Sequence, residues 1–167
     1  AYGLKDIESI LRGTLRREGF CEKWAAIIDL GLTDDSFLMD IPKDFTYAQF
    51  SASFLPEGIK PVDFLLNLGY TKQSIEALEW LGLFSDLNIP QGKKSPAKIL
   101  QNLLEEKWKL NKNESDHVVM YHELHYELEG KRFKKTSSLS VYGDDSKYTA
   151  MAKTVGLPLA IVAAQII

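Results

Sequence analysis

The chain has 167 residues, 45% of them hydrophobic and 26% charged, and a formal charge of −3. That length suits one domain with a real core, not comfortably two, and the composition is that of an ordinary globular protein. The slight acidity gives no footing for nucleic-acid binding: the basic clusters "GKKSPAK" at 92–98 and "GKRFKK" at 130–135 are short, have acidic neighbours, and read as solvated loop and hairpin.

In chain order, "SILRGTLR", Ser9 to Arg16, alternates with a period of two. Arg12, Thr14 and Arg16 fall on one face and Leu11, Gly13 and Leu15 on the other, which predicts a strand. "FCEKWAAIIDLGL" switches to helical spacing, with Phe20, Trp24, Ile27, Ile28 and Leu32 as the apolar stripe and Gly31 as the stop. Cys21 is the only cysteine, so no intramolecular disulfide can form and a reducing compartment is expected. Its place on the apolar pattern predicts a buried thiol rather than a nucleophile working with His117, His122 or His125.

From Thr33 to about Asn113 the pattern predicts several short helices. "DFTYAQFSASFL" and "KPVDFLLNLGY" each end near Gly or Pro, and "TKQSIEALEWLGLF" starts with Thr71 as its N-cap. Trp80, Leu81, Leu83 and Phe84 are core types, and Gly82 closes that helix. "SPAKILQNLLEEKWKL" opens with Ser95 as cap and Pro96 in the first turn, burying Ile99, Leu100, Leu103, Leu104 and Trp108. "QGKKS" lacks the upstream glycine and strand of a phosphate-binding loop.

"DHVVMYHELHYELEG" and "KRFKKTSSLSVYG" then alternate around Glu129-Gly130-Lys131, a β-hairpin pattern. The histidines of "HELH" are three apart rather than four, and in a strand they point to opposite faces, which argues against a shared metal ion. A last helix is expected from about Ser146 to Ile167, kinked near Thr154 or restarting there because Pro158 lacks an amide donor. Its apolar run reaches back only to about Thr154, too short to span a bilayer, so a buried helix is expected, and no signal peptide is visible. The chain ends in this apolar stretch with no charge or cap, and it opens on Ala1 straight into patterned sequence. Natural termini are usually small or polar, so we expect a piece cut from a longer protein.

The order strand, helix, helical block, hairpin, helix predicts an α+β layer with helices on one face of an antiparallel sheet. The first strand should join the hairpin, because two strands alone are marginal, and strands before Ala1 and after Ile167 should complete the sheet.

"ILRGTLRREGF" (10–20), "EWLGLFSD" (79–86) and "YTAMAKTVGLPLAI" (148–161), with "DHVVMYHEL" from Asp116, resemble the substrate-binding domain of saccharopine dehydrogenase of the glutamate-forming type. The same module forms the dehydrogenase half of aminoadipic semialdehyde synthase. The similarity covers nearly the whole chain in order and is loosest at 35–70. It implies one truncated domain over 1–167, like the C-terminal domain of glyceraldehyde-3-phosphate dehydrogenase, with a helical insertion at about 33–113. It also implies a separate Rossmann domain that binds NAD or NADP in the parent chain, and a homodimer. The implied compartment is the cytoplasm, or mitochondria for the bifunctional animal form. The implied reaction oxidises the secondary amine of saccharopine to an imine, whose hydrolysis gives glutamate and aminoadipate semialdehyde.

No G-x-G-x-x-G follows a strand in this sequence, and the family's proton-transfer residues lie upstream of the matching stretch. The isolated chain is therefore expected neither to bind the cofactor nor to turn over substrate, and no catalytic residue is assigned to it. The family's "RGTLR" contributes to saccharopine binding, which places that role on Thr14, Leu15 and Arg16. Arginine suits it, because a planar guanidinium grips a carboxylate with two parallel hydrogen bonds and stays charged. Arg16 would be the clamp, with Thr14 or a backbone amide as a second donor; Arg12 and Arg17 are weaker candidates, and Arg17 stands where relatives usually carry an aromatic. The alternative is that Arg16 pairs with a structural acid such as Asp29. Tyr148, Lys153 and Thr154 would either face the substrate cleft, with helix amides aimed at an anion, or serve packing alone. Two other readings compete: a stand-alone helical interaction module whose last helix docks a partner, and a related dehydrogenase acting on another imino acid.

Overall fold

The computed structural model of the chain describes residues 7–166 and is an α+β structure with six helices and two small antiparallel sheets among those residues. Two compact units, Ala1–Lys107 and Trp108–Ile167, divide it.

The first unit contains α1 (Phe20–Asp29), β1 (Met39–Ile41), α2 (Tyr47–Ala52), α3 (Pro61–Asn67), α4 (Lys72–Leu81), β2 (Gly92–Lys94) and α5 (Pro96–Lys107). Helices α2 to α5 each start where a local signal stands. Thr46 and Gln49 form a reciprocal capping box on α2, Pro61 opens α3, and Thr71 Oγ1 accepts the Ser74 amide at 3.3 Å to cap α4. Ser95 Oγ does the same for the Lys98 amide of α5 while donating to Asp35.

The stops share one device. Leu30-Gly31-Leu32, Leu68-Gly69-Tyr70 and Leu81-Gly82-Leu83 end α1, α3 and α4, each glycine having φ between 77° and 99°. In each, the residue after glycine donates back to the carbonyl five positions earlier (Leu32 to Ile27, Tyr70 to Leu65, Leu83 to Leu78), the Schellman closure that needs a left-handed residue. The closure turns the next side chain inward: Leu32 and Leu83 are fully buried. They join Ala26, Leu30, Ile41, Phe50, Leu65, Leu78, Ile99 and Leu103 in one core. Against the expected stripe, Ile28 is half exposed, because it lies about 160° around α1 from buried Ala26 and Leu30, while Leu30 and Leu32 reach the core from the closing turn.

Three further expectations for this unit are overturned. The stretch 9–16 is not a strand: residues 7–17 carry no regular structure and no ladder partner, so the three-stranded sheet it was to complete does not form among the described residues. Alternation alone cannot hold an extended segment, since a strand is stabilised by its neighbour. Cys21 is exposed, lying half a turn around α1 from Leu30 at 3.6 residues per turn. Trp80 is 63% exposed under the Lys107 ammonium, 5.7 Å from the ring centroid. The helices expected over 33–113 are present as α2 to α5.

The second unit is a hairpin, β3 (His117–Leu128) and β4 (Lys131–Tyr142), followed by α6 (Ala150–Ile166). Glu129 and Gly130 have φ of 53° and 72°, as a two-residue type I′ turn requires, and the register pairs Leu128 with Lys131 and His117 with Tyr142. Cross-strand partners share a face, so Val118/Val141, Met120/Leu139 and Tyr126/Phe133 make one side apolar, while Glu123/Thr136 and His125/Lys134 make the other polar. Helix α6 packs against both strands at the base, where Val118, Met120 and Val141 are partly covered.

Helix α6 runs unbroken through Pro158, so no restart occurs at Thr154. The Thr154 hydroxyl donates to the Ala150 carbonyl at 2.9 Å. The expectation that this helix is buried is also overturned: Ala150 is its only buried residue among those described, because a two-stranded ribbon reaches only its first turns. Trp108, expected on the buried face of α5, lies beyond that helix and is half exposed.

Candidate functional site

The residues singled out for substrate, Thr14, Leu15 and Arg16, lie in the exposed segment before α1. Two contacts place the Arg16 side chain. Its Nη1 donates to the Leu15 carbonyl at 3.0 Å, and its guanidinium carbon sits 5.3 Å from the Phe20 ring centroid. Phe20 in turn stacks on Trp24 at 6.0 Å with planes 7° apart. Arg16, Phe20 and Trp24 follow one another at intervals of four and form a column down the start of α1, with the cation on top. The helical spacing places Phe20 and Trp24 on the core stripe; the column is not evident from it, although an aromatic four residues after the arginine signals it.

The guanidinium makes no ion pair among the described residues and is solvent-exposed, so one edge of the fork is open to a carboxylate. The alternative pairing with Asp29 is not made. Asp29 Oδ2 instead accepts the Tyr70 hydroxyl at 2.6 Å, and this bond pushes the phenol up to about 12. Thr14 shares no strand with Arg16, so no ladder fixes the two on a common face. One carboxylate beside this segment is already engaged: Glu22 Oε1 accepts the hydroxyls of Ser74 at 2.7 Å and Thr71 at 2.8 Å, which hold its pKa below the usual range and tie α1 to α4.

The other sequence candidates are taken up internally. In the second unit, Lys153 Nζ donates to Asp144 Oδ1 at 2.7 Å and to the Tyr142 carbonyl at 3.1 Å, and Thr154 bonds its own helix. The first α6 amides, offered to an anion in the sequence reading, are occupied: Asp116 accepts from Ala150 at 2.5 Å and from Met151 at 2.9 Å. Tyr148 is exposed, with the Lys147 ammonium 5.5 Å from its ring centroid.

On the polar hairpin face Glu123 gathers three partners: His125 Nε2 at 2.7 Å, Tyr121 Oη at 2.8 Å and Lys134 Nζ at 3.0 Å. His125 first, then Lys134 and Tyr121, hold its carboxyl down to about 2. His122 lies on the opposite face, and no group of three or more metal-ligating side chains exists among the described residues. A shallow groove of about 230 Å³ between α3 and α4 has Val62, Leu66 and Ile75 as walls. Its charged lining, one lysine (Lys72) against Glu76 and Glu79, is wrong for an acidic ligand. Both sheets are two-stranded and antiparallel, so the described residues contain no βαβ crossover of the kind that cradles a dinucleotide. No helix among them is long and apolar enough to cross a membrane.

Comparison with known proteins brings this geometry to a family. Curated relatives include the NADP(+), L-glutamate-forming saccharopine dehydrogenase of Schizosaccharomyces pombe, 30% identical over 181 residues that cover 99% of this chain and 40% of the relative. The mitochondrial alpha-aminoadipic semialdehyde synthase of Bos taurus is 35% identical over 97% of this chain and 18% of its own length. The alpha-aminoadipic semialdehyde synthase of Arabidopsis thaliana is 32% identical over 96% of this chain and 17% of its own. The chain thus spans two fifths or less of the relatives named here. No solved structure matches it. The family model described as the saccharopine dehydrogenase C-terminal domain matches residues 1–167, and the chain belongs to that family.

Proposed function

We propose that this chain is the substrate-binding lobe of a glutamate-forming saccharopine dehydrogenase, and that Arg16, with Thr14 and the Leu15 backbone beside it, grips a carboxylate of saccharopine. Family membership over the full 1–167 supports the reading. The observation that carries the site is the Arg16 guanidinium, mounted on Phe20 and without an ion-pair partner among the described residues. A cation held by a ring and a backbone carbonyl loses little freedom when a carboxylate arrives, and the guanidinium fork matches that group.

The redox step belongs to another part of the parent. Oxidation of the secondary amine passes hydride to NAD or NADP, with NADP favoured because fungal relatives are named NADP(+)-dependent enzymes, and water then splits the imine into glutamate and aminoadipate semialdehyde. In this reading the parent's Rossmann domain supplies the cofactor, the present lobe holds the substrate acids, and the isolated chain is inactive. The lobe has the architecture of the glyceraldehyde-3-phosphate dehydrogenase C-terminal domain, carries α2 to α5 as its insertion, and takes part in a homodimer. Its compartment is the cytoplasm, or mitochondria in a bifunctional animal parent. The exposed apolar length of α6 favours a second reading, a docking module for a partner protein.

The test uses the full-length parent enzyme. Arg16→Ala should raise KM for saccharopine about 10–100-fold, as loss of a charge-assisted pair worth roughly 1.5–3 kcal/mol requires, with Arg12→Ala near wild type. An unchanged KM for Arg16→Ala removes that residue from the site.

A further inference from the structure

Helix α6 raises a mechanical problem. It is apolar nearly all round, only Ala150 is buried among its described residues, and its contact with the hairpin is confined to the base. Such sparse packing does not choose one angle between helix and ribbon. Polar contacts at the first two turns do.

We propose that Asp116 and Lys153 form a two-point latch that sets the direction in which α6 leaves the hairpin. Asp116 stands one residue before β3, and its carboxylate accepts the amides of Ala150 and Met151 while its backbone carbonyl accepts the Gly143 amide at 2.9 Å. One turn along α6, Lys153 reaches back to the Tyr142 carbonyl and to Asp144. The Asp144 amide also donates to the Tyr148 carbonyl at 2.9 Å and closes the connection. A single anchor leaves a helix free to swivel; two anchors a turn apart, on the end of β4 and on the residue before β3, remove that freedom.

Gly143 explains itself on this basis. A Cβ there would collide with the Asp116 carboxylate and with the backbone nitrogen of Ala150, so any side chain would displace the latch. The sequence carries the same elements as separate marks: an acid before the hairpin, Gly143-Asp144 after it, and a lysine four residues after Thr149. The latch is read on this chain alone and does not depend on the function proposed above.

Double electron–electron resonance on the whole chain tests it. Spin labels go on Ser138→Cys in β4 and Gln165→Cys in α6, both exposed, in a Cys21→Ser background. The unaltered latch should give one narrow distance distribution, and Asp116→Ala, Lys153→Met and Gly143→Ala should each broaden it at least twofold with helical circular dichroism retained. Lys147→Met, outside the latch, should leave it unchanged. Should Asp116→Ala lose the hairpin altogether, Lys153→Met, which keeps the carboxylate cap, decides the matter. A distribution for Lys153→Met as narrow as the original overturns the proposal.

Discussion

Phe50 is the largest fully buried side chain among the described residues of the first unit, and its truncation to alanine tests the core most severely. The ring has no solvent exposure and meets Phe54 edge-on at 6.0 Å, on a short helix that supplies few hydrogen bonds of its own. Removing it deletes the transfer free energy of the ring and leaves a cavity, about 3–5 kcal/mol in all. A domain of this size is stable by about 5–15 kcal/mol, so at least about a fifth of the total would go. At about 4–8 °C per kcal/mol, the thermal midpoint of this unit should fall by on the order of 12–40 °C. Urea unfolding followed at 222 nm measures the loss directly. Ile28→Ala is the control: the helical stripe assigns that residue to the core, the structure leaves it half exposed, and its loss should be within about 0.5 kcal/mol. A Phe50→Ala loss below about 1.5 kcal/mol, or an Ile28→Ala loss as large as that of Phe50→Ala, would refute the packing described here.

Glu123 should titrate near 2, well below the ordinary 4.5, by carboxyl carbon NMR. Because its folded value is depressed, its contribution to hairpin stability is present above 4.5 and disappears as pH falls toward 2. Lys134→Met and His125→Ala should each move that midpoint up; a midpoint of 4.5 in the unaltered chain contradicts the cluster. Gly130→Ala forces an L residue to a φ of 72° and should cost the hairpin roughly 1–2 kcal/mol, read from amide exchange in β3 and β4; unchanged protection contradicts the turn. The isolated chain, given saccharopine and either NAD or NADP, should produce no reduced nicotinamide above blank, and sustained turnover would show that the redox chemistry lies within these residues after all.

What could be read from the sequence is whatever its own neighbours determine. Thr71, Ser95-Pro96 and the Gly31 and Gly82 stops act within five residues of themselves, so cap, first turn and closure were legible without knowing the fold. The hairpin was legible for the same reason: alternation on both sides of Glu129-Gly130 defines its turn, register and faces together. The stretch 9–16 failed because pairing is not a local property, and period two describes a strand only when another strand lies alongside. Cys21 and Ile28 failed because the stripe was drawn on the wrong side of the helix: both lie far around α1 from Ala26 and Leu30, which face the core. At the candidate site, the stacking of Arg16 on Phe20 and Trp24 was not legible, because the column needs the helix to begin where it does.

The proposed contact between the Arg16 guanidinium and an acidic ligand is measured without the redox step by calorimetric titration of saccharopine into the full-length parent enzyme. Arg16→Ala should weaken the dissociation constant about 10–100-fold, and Arg16→Lys, a point charge without the fork, should fall between it and wild type. Equal affinities for wild type and Arg16→Ala would contradict it.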